Sequence, residues 1–223
     1  MRFTDELRIA SGAQWERVVQ HKFTTDLAAG TIDRDCLKRY LIQDHRFLDS
    51  FVILLSSIVA NARCLEDRIP GCQFLALITG KENTYFQRSF DKLNVTAEQR
   101  QSIPDAPCTK EFCDLMRTVA KNGSLAEMLA VVVVCEWSYL TWGELVKDST
   151  VRDDFTCYEW VDLHCGDYFA SVIEYLRTLL DKEVEFLNVE EKAACQRRFL
   201  QTVQLEEEFF DFSMDSTKTS FLP

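Results

Sequence analysis

Three stretches place acid or thiol groups inside apolar helical runs: Asp44 in YLIQDHRFLDSF, Cys135 with Glu136 in VVVVCEWSYLTWGE, and Glu206 in TVQLEEEFFDF. Such side chains rarely enter an apolar face without a partner. If the helices pack in one bundle, these groups meet in one cavity. A carboxylate, a thiol and a second carboxylate in an aromatic-lined pocket are the equipment of a hydrolase.

Spacing refines each candidate. Cys135, Tyr139 and Trp142 follow an i, i+4, i+7 ladder and share one helix face. A thiol beside two rings suits attack on a flat, electron-poor heterocycle. The same pattern equally describes a buried cysteine among core aromatics. Glu136 is turned about 100° round the helix, toward solvent, a partner chain or the cavity. Asp44 shares a stripe with Tyr40, Phe47, Leu48 and Phe51. A buried aspartate there accepts from the exocyclic amine of an aminopyrimidine-type edge, or pairs locally with Arg34, Lys38 or Arg46. Glu206 opens a run of three glutamates, which alone reads as a solvated face. With Leu205, Phe209 and Phe210 apolar, Glu206 is the one nearest the core, where its pKa would rise and it could carry protons. His164, in DLHCGDYF, fits a structural or a pocket role.

Helical periodicity dominates the elements that must position these groups. A first helix is expected from about Thr4 to Val19, then a break at Gly30 with Thr31 or Asp33 as N-cap. A long helix follows to about Ala62, an interruption at DRIPGCQ, and a helix from about Cys72 to Leu93. Thr96 and Gln99 have capping-box spacing for a short helix. Pro104 and Pro107 mark a loop before a helix from about Thr109 to Lys121, stopped at Asn122 and Gly123. The most apolar helix runs from about Ser124 to Lys147, despite four consecutive β-branched residues at Val131–Val134. A helix or broken pair covers about Asp153 to Leu180, interrupted near Gly166. Asn188 and Glu191 have cap spacing for a last helix to about Phe212.

Composition bounds the fold and the partners. The 223 residues are 47% hydrophobic, enough for one core and a single domain over 1–223 with a polar tail at 214–223. Seven glycines and four prolines are few for a β-sandwich or barrel, so an all-α fold is expected. A net charge of −11 disfavours nucleic acid and anionic membrane as partners. No apolar run is expected to reach the ~18–20 residues of a membrane span. Nine cysteines are an odd count, none in CxxC spacing, and only three histidines accompany them. No metal site is expected. MRFTDELRIASG has no apolar signal segment, so reduced thiols in a cytoplasmic protein fit best.

Taken in order, four stretches resemble motifs of the TenA/thiaminase II family. YLIQDHRFLDSF looks like its pocket-aspartate motif, and CEWSYLTWGE like its Cys-x-Trp-x-Tyr segment. HCGDYF is similar to its glycine-Asp-aromatic turn, and EEEFF to its C-terminal Glu-x-x-Phe-aromatic motif. The resemblance covers almost the whole chain. It implies a heme-oxygenase-like helical bundle, a homo-oligomer (usually a tetramer, otherwise a dimer), and no metal or organic cofactor. It implies enzymes of thiamin salvage that release hydroxymethylpyrimidine from a small-molecule pyrimidine substrate. A thiolate adds to the pyrimidine ring, the leaving group departs from the exocyclic methylene, and water replaces it. By position, Cys135 would be the nucleophile and Glu206 the proton shuttle. Asp44 would hold the pyrimidine and poise the thiol, and Tyr139 and Phe47 would line the pocket. Phe112 and His164 stand where the family often has other pocket aromatics.

One branch of that family lacks the cysteine and has a glutamate one residue later, where this chain has Glu136. The EWSY sequence resembles that branch. A glutamate would activate water and suit an amide such as a formylated aminopyrimidine. The preferred expectation is hydrolysis of a thiamin-derived aminopyrimidine, with Cys135 favoured over Glu136. The alternative, motivated by Phe112 and His164, is a non-catalytic pyrimidine-binding or regulatory protein on the same scaffold. Heme oxygenase shares the fold, and His21 lies near the expected position of a proximal ligand, but Gly143 stands alone where a glycine-rich helix would be needed. None of His21, His45 or His164 has the glutamate three residues earlier that a di-iron bundle requires.

Overall fold

With few turn residues and long apolar stripes, the chain can bury its stripes only helix against helix. The computed structural model describes residues 1–223 as twelve α-helices and no strand. One cluster of 60 buried hydrophobic residues draws on nearly all of them.

The expected first helix is divided. α1 (Phe3–Ser11) and α2 (Ala13–Val19) meet at Gly12, whose φ of 55° no side chain opposes. A helix not anticipated follows, α3 (Lys22–Ala28), capped by His21 Nδ1 accepting the Phe23 N–H at 3.1 Å. Asp33, one of the two expected caps, starts α4 (Arg34–Asn61) by accepting the N–H groups of Asp35 and Cys36.

DRIPGCQ does not interrupt the chain. α5 (Leu65–Leu77) runs through Pro70. Proline sits in the second turn, so the carbonyl it leaves unbonded belongs to Glu66, which is exposed to solvent. Gly71 then lets α5 approach α4 closely, since a Cβ there would lie 2.6 Å from Val59 Cγ2. The helix winds into a π-helical turn, Ile78–Glu82, and continues as α6 (Asn83–Leu93).

The Thr96–Gln99 capping box forms as expected at α7 (Ala97–Ser102). α8 (Pro107–Asn122) begins two residues before the expected start, with Pro107 in the first turn where its missing N–H is harmless. α9 (Leu125–Val146) has a Ser124–Glu127 capping box and keeps Val131–Val134 buried. Contrary to expectation, the stretch Leu125–Ser149 is long and apolar enough to cross a membrane by length and composition. Its apolar window is 67% buried inside the protein, which is the position of a core helix.

α10 (Phe155–Leu163) and α11 (Gly166–Val184) form the expected broken pair. The corner is clamped to α9: Gly166 N–H donates to Glu144 Oε1 at 2.8 Å. A Cβ on Gly143 would lie 2.2 Å from the His164 carbonyl oxygen, so only glycine allows this approach. Asn188 caps α12 (Val189–Met214). The helix takes in Met214, and beyond it the Phe221 ring packs on Phe212 at 4.9 Å, so the tail is less polar in its contacts than in its composition. All nine cysteines are free.

Candidate active site

α4, α8, α9, α10, α12 and the π turn wall one cavity. All eight residues singled out in the sequence line it. α4 contributes Asp44 and Phe47, α8 Phe112, and α9 Cys135, Glu136 and Tyr139. His164 stands at the end of α10, and α12 supplies Glu206. Glu82, Trp160, Leu48, Phe51 and Phe209 complete the wall.

The rings form an apolar box around the acids. Phe47 meets Phe112 edge-on at 4.9 Å. His164 lies 4.8 Å from Tyr139 and 4.3 Å from Trp160. His164 Nδ1 is 2.7 Å from the Trp160 carbonyl, which can only accept, so Nδ1 carries the proton and Nε2 is left as an acceptor. Burial lowers the His164 pKa to about 4, so the ring is neutral at neutral pH.

Beneath the box runs a hydroxyl network centred on Tyr40. Trp160 Nε1 donates to the Tyr40 hydroxyl at 3.1 Å, and the Tyr40 and Tyr139 hydroxyls are 2.7 Å apart. Tyr40 also stands close enough to Asp44 to influence its ionisation. Burial raises Asp44 to about 7, and the Tyr40 hydroxyl opposes that rise. The local partners considered for Asp44 are all taken elsewhere. Arg34 pairs with Asp154, Lys38 with Asp35, and Arg46 with Asp105.

Cys135 and Glu206 are 3% exposed. The thiol and the Glu206 carboxyl share the cavity wall, close enough to influence each other's ionisation. Burial pushes both groups well above their ordinary values, with Glu206 and Glu136 adding to the rise of the thiol and Asp44 to that of Glu206. The thiol is therefore held protonated beside Glu206 and is not a preformed thiolate. Of the three glutamates, Glu206 faces inward as expected, while Glu207 turns to Arg17 and Gln14. Glu136 is raised by burial first, then by the charges of Glu82, Glu206 and Asp44.

Two wall residues escaped the sequence. Trp160 lies four residues before His164 on the same helix face, a spacing that could have found it. Glu82 depends on the π turn, which helical spacing does not anticipate. His21 is committed elsewhere: Nε2 lies 3.1 Å from Asp211 and Nδ1 serves the α3 cap. It offers no free nitrogen to a heme.

Residues 11–216 match the TENA/THI-4/PQQC family. The chain belongs to that family. It is 28% identical to an aminopyrimidine aminohydrolase of Halalkalibacterium halodurans, over 89% of each chain. It is 24% identical to one of Bacillus subtilis, over 94% of this chain and 89% of that one. Among solved structures, a TenA homologue of Pyrococcus furiosus superposes with a TM-score of 0.85 at 19% identity, covering 95% of this chain and 99% of that one. The fold of this TenA family member is thus the heme-oxygenase-like helical one.

Proposed function

We propose that this TenA family protein is a thiamin-salvage hydrolase that releases hydroxymethylpyrimidine from aminopyrimidine-type breakdown products of thiamin. The observation that carries this is the Cys135 thiol beside the Glu206 carboxyl in one aromatic cavity, with Asp44 in the same wall. The names of the relatives support an enzyme over a binding-only protein.

The chemistry follows from those groups. A flat pyrimidine fits among the rings, with Phe47, Tyr139, Phe112 and His164 as its walls. Asp44, ionisable near neutrality, accepts from the exocyclic amine and, when protonated, donates to a ring nitrogen. Cys135 Sγ bonds to a ring carbon as Glu206 takes the thiol proton. The electron pair pushed onto the ring then breaks the exocyclic carbon–nitrogen bond, and the ammonium group leaves as ammonia. Water adds to the exposed methylene, and its proton goes to the ammonia. The pair returned to the ring expels Sγ, which recovers its proton from Glu206. The balance is aminopyrimidine and water in, hydroxymethylpyrimidine and ammonium out. On an amide such as formyl-aminopyrimidine, Glu136 activates water, the glutamate-type route.

The test follows hydroxymethylpyrimidine release by mass spectrometry from thiamin, aminopyrimidine and formyl-aminopyrimidine. Wild type, Cys135→Ser and Glu136→Gln run in parallel. Loss of release from aminopyrimidine in Cys135→Ser alone is expected. Loss in Glu136→Gln alone moves the chemistry to the glutamate, and no release by wild type from any substrate rejects the hydrolase. The same proposal includes one TenA-like domain over 1–223, a cytoplasmic setting and a homo-oligomer, tetramer or dimer, which light scattering of the purified protein checks.

A further inference from the structure

The mechanism above leaves one cavity carboxyl without a task. Glu82 lies in a stretch, LITGKENTYF, with no helical stripe leading into the site. It reaches the wall because the π turn winds an additional residue between α5 and α6 and re-aims the side chain at its end. Such turns recur at functional sites because they cost helix hydrogen-bond geometry and persist where the altered direction is used.

What Glu82 meets is unusual for a half-buried acid. Asp44, Glu82, Glu136 and Glu206 share one cavity whose wall contains no lysine or arginine. Asp44 and Glu206 are more than nine-tenths buried, and no cation stands among the influences on any of the four. The one other buried carboxylate of this protein, Glu183, is compensated by Arg63. Buried like charges without a counter-ion either share protons or await a cation from outside. Glu206 is engaged with Cys135, and Asp44 with Tyr40. Glu82 and Glu136 remain.

We propose that Glu82 is a specificity-determining residue: paired with Glu136 across the cavity, it holds the protonated amine of a cationic aminomethyl-pyrimidine and so favours it over neutral analogues. This rests on the function proposed above. The thiol end breaks the bond, and the paired-acid end recognises the charge that the leaving nitrogen carries into the site. Burial, together with the charge of Asp44, raises Glu82 to about 8, so an arriving cation must displace a proton. Around this pair stand Asp44 and His45 on α4, Cys135 and Tyr139 on α9, His164 at the end of α10 and Glu206 on α12. Lys81 and Tyr85 flank Glu82 on its own segment. Lys81 is exposed, and His45, bonded to Asn83 at 3.2 Å, has its pKa lowered by burial, so neither supplies a fixed buried cation.

The experiment compares wild type with Glu82→Gln, and with Glu82→Ala should the first variant fold poorly. Turnover of aminopyrimidine, whose amine is charged, is set against turnover of formyl-aminopyrimidine, whose corresponding nitrogen is neutral. A roughly tenfold fall in kcat/KM for the charged substrate relative to the neutral one is expected, carried mainly by KM. Calorimetry on the Cys135→Ser background then titrates aminopyrimidine and neutral hydroxymethylpyrimidine in two buffers of different ionisation enthalpy. Proton release is expected with the charged ligand only, and is lost in Glu82→Gln. Equal losses for both substrates, or proton release unchanged by the substitution, overturn the proposal. A wild type that turns over neither substrate rejects the proposed function instead, and the two ligand affinities then still decide the role of Glu82.

Discussion

Glu183 and Glu206 are almost equally buried, at 6% and 3% exposure, and are treated in opposite ways. Glu183 receives Arg63 in a two-point contact at 2.6 and 2.9 Å. Glu206 receives only a thiol, with further acids nearby and no cation. The same division runs through α4, where Arg34, Lys38 and Arg46 all find carboxylates and Asp44 is left without one. Compensation is therefore available in this chain and is withheld at one place. A protein gives up stability in this way where a group must change protonation during its work.

The sharpest way to break this comparison is Glu206→Gln. The amide keeps the shape and removes the proton acceptor for Cys135. A loss of about 10²–10⁴-fold in kcat for aminopyrimidine is expected, the range of a lost general base. Because burial without a cation makes the native carboxylate costly, Tm should hold or rise. A fall in both activity and Tm would show that Glu206, like Glu183, is mainly structural.

Gly143→Ala tests the scaffold on the uncompensated side. The new Cβ would lie 2.2 Å from the His164 carbonyl oxygen, so α9 and the α10–α11 corner must separate. A destabilisation of about 1–3 kcal/mol is expected, as for other overpacked contacts. His164 would move with its backbone, and KM for the pyrimidine should rise. Melting curves and steady-state kinetics on the same sample check both; a shift in Tm with KM unchanged would detach His164 from the pocket.

The fold was largely legible in the sequence, because long apolar stripes and cap residues at Asp33, Thr96, Ser124 and Asn188 are local signals. The candidate site was legible where helical spacing holds. Asp44 and Phe47, or Cys135 and Tyr139, lie one turn apart and face one cavity. Legibility failed where geometry departs from that period. Pro70 suggested a break, yet it falls in a turn whose freed carbonyl reaches water. Glu82 is aimed by a π turn, and the compensation of each charge depends on contacts between distant segments, such as Arg63 with Glu183. No pattern within one helix encodes those.

Asp44→Asn sharpens the comparison through pH. The folded-state pKa of Asp44 is raised to about 7 from an ordinary 3.8, so the protonated form is the one folding favours. Its contribution is fully present below about pH 4 and is lost as pH rises through 7. Asparagine does not titrate and keeps the shape of the acid. The variant should therefore be close to wild type in stability at pH 4.5 and more stable at pH 8.5, by about 3 kcal/mol. A difference of the same size at both pH values would remove the claim that the acid is uncompensated.

The smallest effect is expected on the compensated side. Glu183→Gln removes a charge that Arg63 already answers, and the Arg63 side chain is 56% exposed, so solvent takes over part of its role. The pair gains little from Coulomb attraction under those conditions, and the amide keeps one acceptor for the guanidinium. A loss of about 0.5–1 kcal/mol is expected, reduced further by added salt. Activity should not change, since Glu183 lies outside the cavity wall. Thermal unfolding at low and high ionic strength checks the first expectation and turnover of aminopyrimidine the second. The sign is what matters: the paired acid should weaken the protein when neutralised, and the unpaired one should strengthen it. If both substitutions shift Tm in the same direction, burial alone governs these acids and the division between them has no energetic content.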